Sequence, residues 1–407
     1  MVPLLAWRNI WRNPVRSLVV ISAIALGIWA DLFMTAFATG MVEHYVETTI
    51  SRVVSHIQIH RPDYQKDHDV RFVIENLPAV GKQLATDPAV VAFSPRTLAN
   101  GMISSAKGSR GVQIKGVDPD REAAVSKLKE AVIEGEYFEK NKKNQILLGL
   151  ALAEKLQVKL RSKIVLTFQD LEGNITTAAF RVVGIFATGN TPYEEMNVFV
   201  PQGELSALLS AGGSAASAHE IAVICRSTAD MPVVQRTLQQ AFPGLLVENY
   251  REIAPELQLY ESQIKYVSLI YLVIILLALV FGIINTMLMA VLERFRELGM
   301  LMAIGMNKVR VFGMIVLETL LLSLIGAPLG LLLGGLTIHY FSIHPLDLSR
   351  FAKSLNEYGM GTEVYFHTDA ATYWQAALLL LATALLASVY PALKAIRMKP
   401  VEAIRKI

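Results

Sequence analysis

Charge is scarce in this chain. Only 18% of its 407 residues are Asp, Glu, Lys or Arg, against about 25% in an average soluble domain. Over such a length that deficit argues against an ordinary cytosolic enzyme. A hydrophobic content of 53% excludes a disordered chain. The net charge of +3 is too small to imply a nucleic-acid partner. Cysteine is nearly absent. Cys225 stands alone, which excludes an internal disulfide framework and any multi-cysteine metal site. Catalytic signatures are missing too: there is no Gly-x-Ser-x-Gly, no His-Glu-x-x-His and no Cys-x-x-Cys. His219-Glu220 lacks a second histidine at the required spacing. His56 and His60 are four residues apart in a strand-like segment, too far for one small ion, and read as solvent-facing. No catalytic residue and no metal site is assigned.

The apolar residues sit in blocks. Residues 266–292 and 370–393 carry no charge, 311–338 only Glu318, and 17–42 only Asp31. A bilayer core of about 30 Å needs about 20 such residues in a helix. Lipid offers no partners for free backbone groups, so each block is expected to be helical. The boundaries are 17–42, 264–292, 310–340 and 370–393 for the four helices. The first block follows Arg8, Arg12 and Arg16 and reads as an uncleaved anchor rather than a signal peptide. Basic residues set the orientation. They crowd the segment before helix one, the 293–309 segment (Arg294, Arg296, Lys308) and the 394–407 tail. These would face the cytoplasm, both termini included. The 341–369 loop and residues 43–263 would lie outside.

Residues 43–263 have ordinary globular composition. Strand-like runs, beginning with Val53–His60, alternate with helical stretches. The fold class is therefore an α-helical membrane protein with a large α+β extracytoplasmic domain. Pro119 and Gly212-Gly213-Ser214 are plausible boundaries of two lobes.

Three membrane-proximal features stand out. Leu4, Trp7 and Trp11 share one face of residues 3–13, as in a helix lying at the interface; residues 1–16 are assigned to that element. The 293–306 segment carries charges in its first turn and then Leu298, Leu301 and Met302, an apolar face that needs a partner. Gly326, Gly330 and Gly334 form a stripe for close helix packing. Pro328 should kink that helix. Glu318, near its cytoplasmic end, is expected to contact the Arg294/Arg296 region. Asp31 is expected to reach the outer interface.

Taken together, these residues resemble one family. They are Arg8-Asn9 with Arg12-Asn13-Pro14, Glu293-Arg294-Phe295-Arg296-Glu297-Leu298-Gly299 with Ala303-Ile304-Gly305, and Tyr390-Pro391-Ala392 with Pro400-Val401-Glu402-Ala403-Ile404-Arg405. In the outer domain they are Gly116-Val117-Asp118-Pro119 and Val182-Val183-Gly184-Ile185-Phe186. The pattern is similar to ABC-transporter permeases of the type VII, or mechanotransmission, class, which includes MacB, FtsX, LolC and LolE. It covers essentially the whole chain. One departure is Arg161-Ser162, where the family often has glycine before the strand at 163–168.

The resemblance implies a bacterial inner-membrane, multi-pass permease subunit that is not itself an enzyme. A second permease subunit, the same chain or a related one, would pair with it. A cytoplasmic ABC ATPase would dock on Glu293, Arg294, Phe295, Arg296, Glu297, Leu298, Gly299, Leu301, Met302, Ile304 and Gly305. ATP and Mg would belong to that ATPase, since no Gly-x-x-x-x-Gly-Lys-Ser/Thr occurs in these residues and a separate ATPase is expected. The outer domain would have two lobes, one at about 43–120 plus 213–263 and an inserted one at about 121–212. The lipoprotein-release permeases are the most similar in plan. In that reading Phe33, Met34, Phe37 and Met41 of helix one and Ile264, Val267, Leu269 and Ile270 of helix two would receive acyl chains of a lipoprotein, which a periplasmic acceptor then takes. Two alternatives are an efflux permease with a periplasmic adaptor and an FtsX-like signalling permease acting on a murein hydrolase.

Overall fold

The computed structural model describes residues 2–139, 142–210 and 218–397. The tail motif from Pro400 and the Gly212-Gly213-Ser214 boundary lie outside these residues. The chain divides into a membrane unit (Met1–Val42, Glu261–Asp347, Glu363–Ile407) and a soluble unit (Glu43–Tyr260, Leu348–Thr362).

Among the described residues, four helices are long and apolar enough to cross a membrane. Helix one is Pro14–Thr49, helix two Pro255–Glu293, helix three Lys308–Ile343 and helix four Ala370–Ile396. The first two outrun the expected spans of 17–42 and 264–292, because an uncharged run measures bilayer thickness and not helix length. Pro14 opens helix one at the position where its missing N–H is harmless. In helix three, Gly330 is fully committed to close approach. A Cβ there would lie 2.7 Å from the Ala25 carbonyl oxygen and 2.8 Å from Ile28 Cβ of helix one. Gly326 and Gly334 meet Ile24 and Leu32 in the same way. The helix runs on through Pro328. Asp31 does not reach the interface as expected; only 6% of it is exposed, within the helical unit.

The soluble unit is built on one ten-stranded sheet. Its strands are β1 (Ile57–His60), β2 (Val90–Ser105), β3 (Gly108–Val117), β4 (Val132–Gly135), β5 (Gln145–Gly149), β6 (Lys163–Gln169), β7 (Ile175–Phe186), β8 (Asn197–Pro201), β9 (Glu220–Cys225) and β10 (Leu246–Asn249). Residues 50–54 continue helix one as a π-turn, so the strand expected from Val53 starts only at Ile57. The order β10-β1-β9-β2 forms an open half. The pairings β2-β3-β8-β5-β7-β6 and back to β2 close a ring, and β4 adds to β7 outside it. Ile103, Ile114, Leu148, Phe180 and Val198 fill it and are fully or almost fully buried. This corrects the expected inserted lobe at 121–212. The ring is incomplete without β2 and β3, so the division falls near Arg96. The middle of the 341–369 loop, 348–362, folds as part of the soluble unit.

Arg96 marks the division. At β2 it is 2% exposed and donates to Glu122 at 2.6 and 3.0 Å and to Glu220 of β9 at 2.5 Å. The Gly116-Val117-Asp118-Pro119 motif delivers Glu122. Asp118 caps the helix Pro119–Val125 by accepting from the amides of Asp120 and Arg121, and Pro119 opens it. Burial alone pushes both carboxyls up, and the Arg96 charge reverses this and holds them below the usual range. His60 is not solvent-facing, as its sequence context suggests. It is 3% exposed, its Nδ1 lies 3.2 Å from the His219 carbonyl oxygen, and its ring stacks on Tyr64. Burial pushes its pKa down.

Candidate coupling site

The candidate site is built from segments of the membrane unit that surround Arg294. Residues Val2–Arg12 form the expected short helix. It buries Ala6 and Ile10 completely and leaves Trp7 and Trp11 45% and 58% exposed, edge to face. The bend into helix one is fixed by Ser17, whose hydroxyl donates to the Ile10 carbonyl at 2.6 Å.

After helix two, Arg294 alone separates it from a second short helix, Phe295–Ala303. That helix ends in a Schellman turn. Met306 N–H donates to Leu301 O at 2.9 Å and Gly305 N–H to Met302 O at 3.1 Å. Gly305 adopts φ +105°, which explains the glycine in Ala303-Ile304-Gly305. Asn307 then caps helix three by accepting from the Val309 amide.

Three arginines and three carboxylates bind these pieces together. Arg12 donates to both oxygens of Glu297 at 2.5 and 2.6 Å, and Arg16 to Glu293 at 2.9 Å. Arg294 is 8% exposed; it donates to Glu318 of helix three at 3.2 and 3.3 Å and to the Asn9 carbonyl at 2.8 Å. Arg16 reaches Glu318 as well, at 4.0 Å. The short helix is thereby clamped to both the N-terminal helix and helix three.

The clamp sorts the residues expected to couple to an ATPase. Leu298 and Gly299 are buried in the chain's own core, so of the expected apolar face Leu298 is taken up by the chain itself. Met300 is 50% and Ile304 85% exposed, while Phe295, Leu301 and Met302 are half-buried. Glu293, Arg294 and Glu297 hold the segment in place, and Arg296 and Gly305 are exposed beside it. The sequence signal for Glu318 was its cost inside a membrane helix. Arg12 and Arg16 read only as orientation charges, because their partners lie far along the chain.

The residues named for acyl chains have varied surroundings. Phe33 and Phe37 pack edge-on against Phe366, at 5.1 and 5.8 Å between centroids, and Phe33 also meets Phe341. They belong to an aromatic cluster around the ends of the loop after helix three. Met34, Met41 and Ile264 are half-buried; Val267, Leu269 and Ile270 are exposed.

Residues 17–241, more than half of the chain, match the family model of the MacB-like periplasmic core domain, and residues 269–400 that of the FtsX-like permease C-terminal region. The transmembrane protein LolE of the lipoprotein-releasing system of Haemophilus influenzae is 23% identical over 341 residues, 79% of each chain. The macrolide export ATP-binding/permease protein MacB of Nitrosomonas europaea is 27% identical over 176 residues, which are 39% of this chain and 26% of that one. Two solved structures are similar. The periplasmic region of MacB from Actinobacillus actinomycetemcomitans has a TM-score of 0.35 at 14% identity, covering 53% of this chain and 97% of that one. The extracellular domain of the ABC-type transporter YknZ from Gram-positive bacteria has a TM-score of 0.32 at 15% identity, covering 48% and 99%. With a MacB-like periplasmic domain, an FtsX-like C-terminal region and four apolar helices, the chain belongs to the MacB/FtsX/LolC–LolE superfamily of ABC-transporter permeases.

Proposed function

We propose that this permease extracts lipoproteins from the inner membrane, driven by a separate cytoplasmic ATPase. The observation that carries the reading is the extent of the match to LolE. It spans 79% of both chains, whereas the MacB relatives match 38–39% of this one. The ATPase seats on the Phe295–Ala303 helix, where Met300 and Ile304 offer apolar side chains and Arg296 an exposed cation. ATP and Mg bind to that partner. Its movement passes through Arg294 into helices two and three. Acyl chains enter between the outer halves of helices one and two, with Met34, Met41, Ile264, Val267, Leu269 and Ile270 as the lining. Burying each CH₂ is worth about 0.8 kcal/mol, so lifting a lipid anchor out of a bilayer requires an energy source. A second permease subunit completes the site. Both termini face the cytoplasm.

The test is purification of the tagged chain in mild detergent, with mass spectrometry of everything bound. A P-loop ATPase together with acylated proteins is the expected result. An ATPase with a periplasmic adaptor replaces extraction by efflux, and one with a murein hydrolase replaces it by signalling.

A further inference from the structure

Helix one ends in a strained turn. The π-turn of residues 50–54 is closed by the Ser55 amide, which donates to Ile50 O at 2.8 Å. Ser55 then holds φ +69° and ψ 171°, and it is buried. That region of backbone space belongs almost to glycine alone, and another residue stays there only when its surroundings hold it. Strand β1 follows at Ile57.

The hold comes from a side chain of β1. Gln58 is buried; its Nε2 donates to Val54 O at 2.6 Å, and its Oε1 faces His60 Nε2 at 3.0 Å. The Ser55 hydroxyl also lies against Val54 O, but its one hydrogen is shared with Ile57 O. Turning the Gln58 amide over would set its oxygen against the Val54 carbonyl. His60 therefore meets an oxygen at Nε2, and it meets a second, His219 O, at Nδ1.

Two other histidines show the contrast. The Cys225 amide donates to His56 Nδ1 at 3.3 Å. The Leu98 amide donates to His219 Nδ1 at 3.0 Å, and His219 Nε2 donates to Val70 O at 2.8 Å. Those partners suit a neutral ring. His60 has two acceptors and, among the described residues, no donor, a set that only the doubly protonated ring satisfies. Burial works against that charge. Glu220 of β9, whose Oε2 lies 4.0 Å from Nε2, works for it, as do the His219 carbonyl and Glu248 of β10, while His68 opposes it. Tyr64 stacks on the ring, and burial keeps its phenol protonated.

A ring that loses one proton must give up one of its oxygens. The His219 carbonyl is fixed in the sheet, where the amide of the same residue donates to Arg96 O at 2.9 Å. The Gln58 amide is a side chain and is the partner free to turn. We propose that His60 is a proton lock on the end of helix one: the doubly protonated ring holds Gln58 against Val54 and so holds the strained turn at Ser55, and the neutral ring releases it. The closed turn binds the proton more tightly than the open one, so by linkage acid closes the turn and base opens it. The inference does not depend on lipoproteins being the cargo.

The test uses the full chain in nanodiscs with ¹⁵N in its histidine rings, titrated between about pH 5 and 8, where a histidine charge changes. Ring nitrogen shifts count the protons on His60, and amide hydrogen exchange follows Ser55. Two ring protons are expected at the acid end. Exchange at Ser55, corrected for its intrinsic rise with pH, should be at least tenfold slower below the ring's midpoint than above it. Gln58→Met keeps the bulk and cuts the link, so exchange at Ser55 becomes fast throughout and its step disappears while His60 still titrates. Ser55→Gly relieves the positive φ and shrinks the same step; it serves if Gln58→Met misfolds. The proposal is overturned if His60 keeps a single ring proton down to about pH 5, if Ser55 shows no step at the ring's midpoint, or if either variant keeps the full step.

Discussion

Replacing Arg96 by methionine tests how the two halves of the periplasmic domain are joined. The side chain is 3% exposed and holds two carboxylates that are themselves 0% and 7% exposed. Methionine keeps much of the volume and removes the charge, so Glu122 and Glu220 are left buried without their counter-ion. Removing one partner of a buried ion pair costs about 3–5 kcal/mol. At about 1.4 kcal/mol per factor of ten, amide exchange through opening of β9 should then accelerate by roughly 150- to 5,000-fold. Ile221 and Val223 are suitable probes, since both are fully buried. The pH dependence should change sign. In the wild type both carboxyls sit below their ordinary range because of Arg96. Their contribution is present above the unfolded value near 4.5 and is lost as pH falls through the lower folded values. In Arg96→Met only burial remains, which raises both pKa values, so acidification neutralises the buried charges and recovers stability. The triple variant with Glu122→Gln and Glu220→Gln should recover most of the loss at neutral pH. Exchange rates within threefold of wild type in Arg96→Met, or a wild-type-like acid limb, would refute the reasoning. Water would then be reaching carboxylates described as sealed.

Three further outcomes are expected. Gly330→Leu should lower the thermal stability of the chain in nanodiscs by about 1–3 kcal/mol through overpacking, whereas Gly313→Ala, with nothing within 4 Å of its added Cβ, should be neutral or gain up to about 1 kcal/mol. In the arginine clamp, Arg12→Ala breaks a pair that is 54% and 46% exposed and should cost under about 1 kcal/mol; Arg294→Met breaks one that is 9% and 6% exposed and should cost several times more by thermal denaturation. Arg161 holds φ +67°, so Arg161→Gly should raise the melting temperature, relieving about 1 kcal/mol of backbone strain.

The membrane helices were legible because lipid imposes a rule that local composition reports directly. Their ends were not, since helix one and helix two continue into charged sequence such as Glu43, Glu47 and Glu256. The coupling segment was legible as charge followed by apolar residues, but the burial of Leu298 was not, because periodicity gives a face and does not say whether the chain's own core takes part of it. Long-range pairs were the main loss. Nothing near Arg12, Arg16 or Arg96 in sequence announces Glu297, Glu293 or Glu220. The closed ring was hidden for the same reason: β2 at 90–105 and β6 at 163–169 pair across a large separation. His60 was misplaced because a short strand paired on both edges buries every residue, so alternation fails.

Helix two is one uninterrupted 39-residue rod. At 1.5 Å per residue it is about 58 Å long, nearly twice the bilayer core of about 30 Å. Its first residues, through Tyr260, belong to the soluble unit, and its last, Glu293, adjoins the clamped Arg294. A rod of this length acts as an amplifier: a tilt of about 10° about one end sweeps the other through about 10 Å. A small tilt at the Glu293 end is thus geared up into large linear travel at the Pro255 end, and a glycine or proline placed midway would turn that gain into slack.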